Sequence, residues 1–446
     1  MSVVLISCYD LGKQPFGVAS PAAWLKRRGA RVRSLDLAID PLDEEAVRGA
    51  DLVAFHVPMH TATRIAVRLA PRVRALNPRA HLCFYGLYAP LNERLLRRLG
   101  ADTILGGEFE AGLESLLRRP AARPGASKQA GPVVSLARQR FLVPDREDLP
   151  GLSRYARFVM PDGARRVAGS TQASRGCLHR CRHCPIVPVY DGVLRIVQRD
   201  VVLEDIGRQV ASGAEHICFG DPDFFNAPTH SLRIVGAMHA RHPGISYDVT
   251  IKIEHLLRHA DKLGRLKETG CLLVTCAAES IDDRVLSLFA KGHTREDFIR
   301  CVRLCRAAGV TLNPTFVPFT PWQTLRGYRR LLELIEDLDL VEQVAPIQLA
   351  IRLLFPAGSP LLRLREVRGQ VGSFDENALV HPWRHHDPRL DGLQERVQSL
   401  VLAAQAAGES RAAIFDEIRA LAGLGPGAAP RRARAGIPYL TEPWYC

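Results

Sequence analysis

The feature that most constrains the fold is an alternation of short apolar runs with amphipathic segments, which occurs in two parts of the chain. From residue 1 to about 117 the apolar runs are SVVLISCYD, ARVRSLDLAI, DLVAFHVPM and HLCFYGLYA. Runs of this length are typical of strands buried on both faces of a parallel sheet, and the segments between them have the period of helices. The pattern predicts a doubly wound, Rossmann-like sheet. Residues 10–17, 58–61 and 106–108 should line a crevice at its carboxyl edge.

The alternation returns at about Gly169, with the runs GSTQASRG, HICFGD, YDVTIKI, LLVTCAAE, TLNPTFVPF and APIQLAIRLL. Six strand-and-helix units are fewer than a closed eight-fold barrel requires. Between the two parts, RPAARPGASKQAGPVVS is rich in Pro, Gly, Ala and Ser and is typical of a linker. The predicted units are the N-terminal sheet (1–118), the linker (119–135), the core (136–358, with strands from about 169), a helical C-terminal region (359–430) and a tail (431–446).

Three cysteines lie within eight residues of the second part, in the segment SRGCLHRCRHC. The C-x3-C-x2-C spacing of Cys177, Cys181 and Cys184 suits an iron–sulfur cluster in which one iron has no protein ligand. A structural zinc site is the alternative, because thiolates and the nearby His179 and His183 are also good zinc ligands. No second close pair of ligands lies nearby, which favours the cluster.

This segment resembles the cluster loop of the radical S-adenosylmethionine (radical SAM) enzymes. The resemblance implies a [4Fe-4S] cluster on the three cysteines and an open six-fold partial TIM barrel. It also implies that S-adenosylmethionine binds the open iron and is cleaved by one electron to methionine and a 5′-deoxyadenosyl radical. A reductant of the flavodoxin or ferredoxin type would be a partner.

The same resemblance implies a set of cofactor-binding residues at the strand ends. In CFGDPDFFN, Gly220 would let the backbone come close, and Asp221 or Asp223 would accept the methionine ammonium; an ordinary acidic turn is the alternative. The third strand is predicted to end in IKIEHL, where Lys252 and Glu254 point the same way by alternation, and Glu254 would reach the substrate or a ribose. Glu279 and Ser280 would contact S-adenosylmethionine.

Two features near these positions leave the expectations open. Ala277 stands where the family usually has a glycine two places before the glutamate, so the local backbone is expected to differ. Arg352 would pair with a carboxylate of S-adenosylmethionine or substrate, and a surface salt bridge is an equal alternative. The remaining barrel cysteines fall in apolar runs or on helical faces and are predicted to be small buried hydrophobes; they are Cys218, Cys271, Cys276, Cys301 and Cys305.

The N-terminal region resembles the cobalamin-binding domain that precedes the catalytic core in many radical SAM enzymes. The likeness rests on the strand order, the turn at 59–61 and the segment GGEFE at 106–110. The family's D-x-H-x-x-G signature is incomplete, since DLGKQPFG supplies Asp10 and Gly17 without a histidine. The resemblance therefore permits cobalamin bound without a histidine below cobalt, or a domain that has lost the cofactor.

The last residues, TEPWYC, resemble the tail of the CUAEP/CCAEP-tail group of radical SAM proteins, in which selenocysteine or cysteine and then A-E-P follow. The barrel segments PTFVPFTPW and IQLAIRLL resemble the same group. The expectation is a selenoprotein whose reading stops at a selenocysteine codon after Cys446.

Composition narrows the class of protein. The formal net charge of +13 comes from 53 arginines against 7 lysines spread through the chain, which indicates genome bias and makes nucleic acid an improbable partner. There is no eighteen-residue apolar stretch and no leader signature, so a cytoplasmic enzyme is expected, with no membrane contact and an unknown small-molecule or peptide substrate. The alternatives are a zinc-stabilised RNA-binding module and a radical SAM RNA-modifying enzyme without cobalamin. An RNA methylthiotransferase would need a further set of three cluster cysteines, where only Cys8 and Cys83 are present.

Overall fold

The computed structural model describes residues 1–118, 132–425 and 436–441. The strands are β1 Ser2–Ser7, β2 Arg31–Asp36, β3 Leu52–His56, β4 His81–Tyr85, β5 Thr103–Gly107, β6 Val134–Ser135, β7 Arg157–Val159, β8 Arg165–Thr171, β9 Ser174–Gly176, β10 Leu194–Ile196, β11 His216–Phe219, β12 Ser246–Thr250, β13 Cys271–Glu279, β14 Thr311–Phe316 and β15 Tyr439–Leu440. The helices are α1 Phe16–Arg27, α2 Glu44–Arg48, α3 His60–Leu76, α4 Tyr88–Leu91, α5 Glu93–Arg98, α6 Glu110–Leu116, α7 Val187–Tyr190, α8 Arg199–Ala211, α9 Pro228–Arg241, α10 Ile253–Arg258, α11 Leu263–Glu268, α12 Asp283–Phe289, α13 Arg295–Ala307, α14 Leu325–Asp337, α15 Pro388–Ala406 and α16 Arg411–Leu421.

The N-terminal part is a six-stranded parallel sheet in the order β2-β1-β3-β4-β5-β6, with helices on both faces. Alternate residues of β1 face opposite layers. Val3 and Leu5 pack in one apolar cluster with residues of α1 and α6, and Val4 and Ile6 pack in another with residues of α3. The predicted doubly wound sheet is confirmed.

The end of the predicted linker belongs to this sheet. Val134 and Ser135 form β6, which pairs in parallel with Gly106 and Gly107 of β5. Residues 119–131 lie outside the described part of the chain. The division into domains at this segment stays a prediction.

The second sheet has the order β14-β13-β12-β11-β8-β7-β15, in which β8 and β11 to β14 are parallel and β7 and β15 are antiparallel additions. It is the curled sheet of a partial barrel, as predicted, but its sixth strand is absent from the described residues. The segment APIQLAIRLL instead forms a 3-10 turn, Pro346–Leu349, and contributes a single bridge between Phe319 and Arg352. Pro346 lacks the N–H that a strand ladder needs, and an apolar run does not by itself distinguish a strand from a buried turn.

The C-terminal region is less helical than predicted from residue 359 onward. Residues 360–387 contain two 3-10 turns and irregular backbone, and the long helices begin at Pro388 with α15 and α16, whose apolar residues join the barrel core. Strand β15 pairs with β7. Residues 442–446, which include Cys446 of the expected selenoprotein tail, lie outside the described residues.

The five barrel cysteines predicted to be structural are buried, each with at most 1% of its surface exposed. None of the helices in the described ranges is both long and apolar enough to cross a membrane.

Candidate functional site

The cysteine loop leaves a small antiparallel pair formed by β9 and β10, beside the carboxyl end of β8. Gly176 ends β9 with a φ of +73°, and a Cβ atom there would lie 2.3 Å from the carbonyl oxygen of Val193, so glycine permits the close pairing that starts the loop. The Arg182 amide donates to the Phe289 carbonyl (2.8 Å), which fixes the far side of the loop to the end of α12.

The three thiols of the loop lie close enough to act on one another electrostatically. Burial is the main cause that raises the pKa of Cys177 and of Cys184, and the neighbouring thiols of the loop raise it further. Asn226 Nδ2 donates to Cys177 Sγ (3.5 Å), as residues that support a cluster ligand do. The residues present therefore fit a [4Fe-4S] cluster.

The loop after β11 brings its two predicted aspartates to the carboxyl edge with different partners. Asp221 accepts from Ser174 Oγ (2.6 Å) and from the Ala173 amide (2.9 Å), and burial raises its pKa to about 6. Asp223 Oδ2 lies 2.7 Å from His255 Nδ1. Gly220 is exposed between them and β11. Asp221 holds the backbone before the cysteine loop, whereas Asp223 faces the other side chains of the site.

A polar chain crosses this edge and includes two histidines whose roles the sequence did not predict. Lys252 Nζ lies 3.0 Å from Glu254 Oε2 and 3.0 Å from His179 Nδ1. His179 Nε2 lies 3.2 Å from His255 Nε2, and His255 then reaches Asp223. The strand alternation predicted for Lys252 and Glu254 is wrong, because the third barrel strand, β12, ends at Thr250. The two side chains instead meet at the start of α10. His179 and His255 lie far apart in the sequence, so only the fold brings both of them close to the carboxylate of Asp223.

Glu279 is the predicted site residue with the strongest electrostatic constraint. Burial alone would raise its pKa, but Lys291 and His183, at 3.4 and 3.0 Å, lower it to about 2. Its φ is +64°, and the register with β14 shifts between Ala277 and Glu279, which agrees with the altered backbone expected from Ala277. His183 belongs to the cysteine loop, so Glu279 is held against that loop. Ser280 Oγ instead accepts from the Asp282 amide (3.0 Å).

Arg352 is not brought to this cluster by any contact of the described residues. Its guanidinium binds Asp391 Oδ1 (2.7 Å) and the Trp383 carbonyl (2.7 Å), and its Cζ atom lies 3.6 Å from the centroid of the Trp383 ring. The salt-bridge alternative is the one that the structure contains.

The N-terminal sheet contacts the strand that enters the cysteine loop through a buried ion cluster. Arg175 of β9 donates to both oxygens of Glu110 (2.6 and 3.0 Å) and lies 3.5 Å from Glu108. Tyr190 donates to Glu108 (3.0 Å). Arg175 has 7% of its side chain exposed and the two glutamates 1% or less. The carboxyl edge of the N-terminal sheet is thereby attached two residues before Cys177.

Residues 171–335 match the family model described as the radical SAM superfamily, and this range includes all three cysteines. This part of the chain is similar to the radical SAM domain of that superfamily. A curated relative is the tRNA-2-methylthio-N(6)-dimethylallyladenosine synthase of Chlorobium phaeobacteroides (strain BS1), 25% identical over 193 residues. The match covers 40% of this chain and 42% of that protein, so the chain spans less than half the length of the curated relative it matches.

Two groups of solved structures resemble almost the whole chain around the radical SAM domain. The cobalamin-dependent S-adenosylmethionine radical enzyme OxsB, with aqua-cobalamin bound, has a TM-score of 0.72 and 15% identity over 90% of this chain and 67% of its own. The radical S-adenosylmethionine methyltransferase TsrM from Kitasatospora setae, with tryptophan substrate and a SAM analog bound, has a TM-score of 0.60 and 18% identity over 91% and 89%. At these identities the likeness concerns the fold.

In the described arrangement, the residues between the N-terminal sheet and the radical SAM domain do not fit a corrin ring. The Gly12 carbonyl accepts from the Ala156 amide (2.9 Å) and the Gln14 carbonyl from Ser170 Oγ (2.9 Å), so the first loop contacts the barrel directly. His56 is buried against Gly17, where a Cβ atom would lie 2.0 Å from its ring. The Arg175 cluster closes the edge beside β5.

Proposed function

We propose that the chain is an enzyme that binds a [4Fe-4S] cluster through Cys177, Cys181 and Cys184 and cleaves S-adenosylmethionine reductively to begin radical chemistry on its substrate. The observation that carries the proposal is the C-x3-C-x2-C loop, which follows β9 beside the carboxyl end of β8 in a partial barrel. When bound, the cluster supplies the electron that breaks the sulfonium bond.

We assign the remaining roles from the contacts of the side chains. Asp223 is a carboxylate whose oxygens retain lone pairs beyond the contact with His255, so it accepts the methionine ammonium, with Gly220 leaving room for the backbone approach. Glu254 takes the ribose or substrate. Glu279 orients His183 of the cysteine loop and, with Ser280, faces S-adenosylmethionine. Arg352 is left out because its guanidinium is already bound.

The proposal is tested by anaerobic reconstitution with iron and sulfide, followed by Mössbauer spectroscopy and by assay of 5′-deoxyadenosine after reduction with S-adenosylmethionine. Cys181→Ala should lose the cubane signal and the product. Cys83→Ala is the matched control, because Cys83 is a buried cysteine of β4 outside the loop, and it should retain both. Stoichiometric zinc without a cubane in the wild type, or equal product from Cys181→Ala, would overturn the proposal.

Cobalamin-dependent methyl transfer is a second candidate, favoured by the fold likeness to OxsB and TsrM. It requires the two edges joined by Arg175 to separate. Retention of cobalt and of a corrin absorption spectrum after incubation with aqua-cobalamin and gel filtration would support it, and their absence would leave the radical reaction without cobalamin.

Modification of tRNA is a third candidate, because the curated relative is named for it. The N-terminal cysteines do not favour it, since Cys8 and Cys83 are both buried; burial raises the pKa of the Cys8 thiol to about 12 and also raises that of the Cys83 thiol far above its usual range. A zinc-stabilised RNA-binding module is tested by the same metal analysis, together with salt-sensitive retention on RNA.

The chemistry requires a reductant, for which we propose a flavodoxin- or ferredoxin-type protein in a cytoplasmic setting. Membership of the CUAEP/CCAEP-tail group is tested by reading the genomic sequence past Cys446. In-frame codons for A-E-P after a UGA codon are the expected result, and their absence would remove that assignment.

A further inference from the structure

The first loop of the N-terminal sheet carries a lysine to the concave side of the barrel. Leu11 and Gly12 have φ angles of +52° and +67°, a left-handed turn that precedes Lys13. The hydrogen bonds from Ala156 to Gly12 and from Ser170 to Gln14 fix the loop on either side of Lys13. Lys13 therefore occupies a set position against the barrel, where the sequence offered no reason to expect a cation.

The position of Ser170 shows which face of the barrel sheet the loop contacts. A Cβ atom on neighbouring Gly169 would lie 2.6 Å from Gln209 of α8, so Gly169 faces the outer helices. Successive residues of a strand point to opposite faces, which places Ser170 on the concave face. Its register partner Cys218 and the next partner, Asp248, lie on the same face.

The concave face is polar over two adjacent rows of the sheet. One row is Ser170, Cys218 and Asp248, which continues with the apolar Leu273 and then Thr311, and the other is Thr250, Thr275 and Asn313. Asn313 Nδ2 donates to Thr275 Oγ1 (3.1 Å), and Thr250 and Asn313 keep part of their surface exposed. Barrel interiors are usually filled by branched apolar side chains, so a polar wall indicates a polar occupant.

The first loop brings Lys13 to the concave face that carries Asp248. Asp248 Oδ1 lies 3.0 Å from His216 Nε2, and His216 Nδ1 lies 2.8 Å from Ser246 Oγ. Burial would raise the pKa of Asp248, but the bond to His216 and the charge of Lys13 lower it, so the carboxylate is ionised at neutral pH. Burial would likewise lower the pKa of Lys13, but the groups facing it (Cys218, Asp248 and Asp10) raise it.

These charges do not meet. In the described residues, Lys13 makes no ion pair and its ammonium makes no hydrogen bond, although Asp248 and Asp10 both act on it electrostatically. A cation and an anion that face each other without contact, beside a polar wall, leave donors and acceptors for a bound molecule. Asp248 is two residues before the end of β12, about 7 Å below the carboxyl edge at the usual rise of a strand.

We propose that this space is the substrate site and that the substrate is a free α-amino acid, with its carboxylate on Lys13 and its ammonium on Asp248. The inference rests on the proposed function, because the side chain of such a molecule would extend toward the cysteine loop. Thr250, Thr275 and Asn313 supply further hydrogen bonds. A molecule that bears only one of the two charged groups leaves the other protein charge unpaired and binds less tightly.

The test is anaerobic equilibrium dialysis of the reconstituted holoenzyme against a pool of the twenty free L-α-amino acids, with the retained compounds identified by mass spectrometry. The wild type should retain at least one of them. Lys13→Met and Asp248→Asn should each lower its retention at least tenfold, and Lys13→Arg should keep more of it than Lys13→Met. Lys26→Met is the matched control, since Lys26 pairs with Asp145 away from this wall (2.8 Å) and its loss should leave retention unchanged.

The same preparation is assayed for 5′-deoxyadenosine, which separates this inference from the proposed function. Product without any retained amino acid, or retention that Lys13→Met leaves unchanged, would overturn the amino-acid site and leave radical cleavage standing. A wild-type holoenzyme that makes no 5′-deoxyadenosine would overturn the proposed function itself.

Discussion

Replacing Arg175 by alanine gives the most direct test of how the N-terminal sheet is coupled to the cysteine loop. The guanidinium makes two bonds to Glu110, at 2.6 and 3.0 Å, and lies 3.5 Å from Glu108. Burial alone would raise the pKa of Glu110, but Arg175 holds it below its ordinary range. Arg175→Ala would leave two buried carboxylates without a cation.

The expected cost follows from that burial. Removing one partner of a buried, hydrogen-bonded ion pair typically costs about 3 to 5 kcal/mol, because the other charge stays buried and unpaired. Arg28→Ala is the matched control: Arg28 binds Glu114 at 2.7 Å, but 48% of its side chain is exposed. An exposed pair of that kind contributes little to stability, because water already solvates both charges.

Urea unfolding, followed by tryptophan fluorescence and by limited proteolysis, measures the difference between the two variants. Arg175→Ala should shift the first transition to clearly lower urea and speed cleavage between the two sheets, whereas Arg28→Ala should change neither. Adding Glu110→Gln to Arg175→Ala should restore part of the loss, because one stranded charge is removed. Equal effects of Arg175→Ala and Arg28→Ala, or no recovery in the double variant, would refute the reasoning.

Three further predictions concern packing, charge and the cluster. Gly17→Ala should destabilise the N-terminal sheet by about 1 to 3 kcal/mol, because its Cβ would overlap the His56 ring. Gly207→Ala is the control in an open helical position and should stabilise the protein by about 0.5 to 1 kcal/mol. Urea midpoints that move in the same direction for both variants would contradict this. Burial raises the pKa of Asp10 from 3.8 to about 7, so folding disfavours its charged form and stability falls as pH rises between those values. Asp10→Asn should therefore be more stable than the wild type at pH 8, with the difference vanishing toward pH 4, and a constant difference across pH would count against it. Asn226→Ala removes the N–H donor to Cys177, so the reduction potential of the reconstituted cluster should fall in a redox titration, and an unchanged potential would show that this bond does not tune it.

Much of the architecture follows from patterns that are local in the chain. The four apolar runs before residue 90 became β1 to β4. The runs of β1, β3 and β4 are almost wholly buried inside the sheet, whereas β2 at its edge leaves Arg31 and Arg33 exposed. The limit of such patterns appears at 345–354, where the apolar run packs against the core as a 3-10 turn and not as a sixth strand. The apolar pattern of residues 345–354 indicates that they are buried. Whether the buried backbone is a strand or a 3-10 turn depends on Pro346 and its neighbours.

The residues of the candidate site likewise differ in how far the sequence alone predicts their partners. The spacing of Cys177, Cys181 and Cys184 was sufficient to predict a cluster, because three ligands in eight residues meet without help from the rest of the fold. Arg352 shows the opposite case: a guanidinium fits any carboxylate, and only the position of α15 decided that its partner is Asp391.

By itself, the sequence determined a parallel sheet, a partial barrel and the three cluster ligands, since each depends on contacts within a turn, a strand or one loop. Tertiary structure alone decided that Arg175 binds Glu110, 65 positions away, and that the loop of Lys13 is held against the concave face of the barrel. Contacts between residues of the two sheets depend on how the sheets pack against each other. That packing is determined by the burial of whole apolar faces, and the residues that come into contact do not determine it.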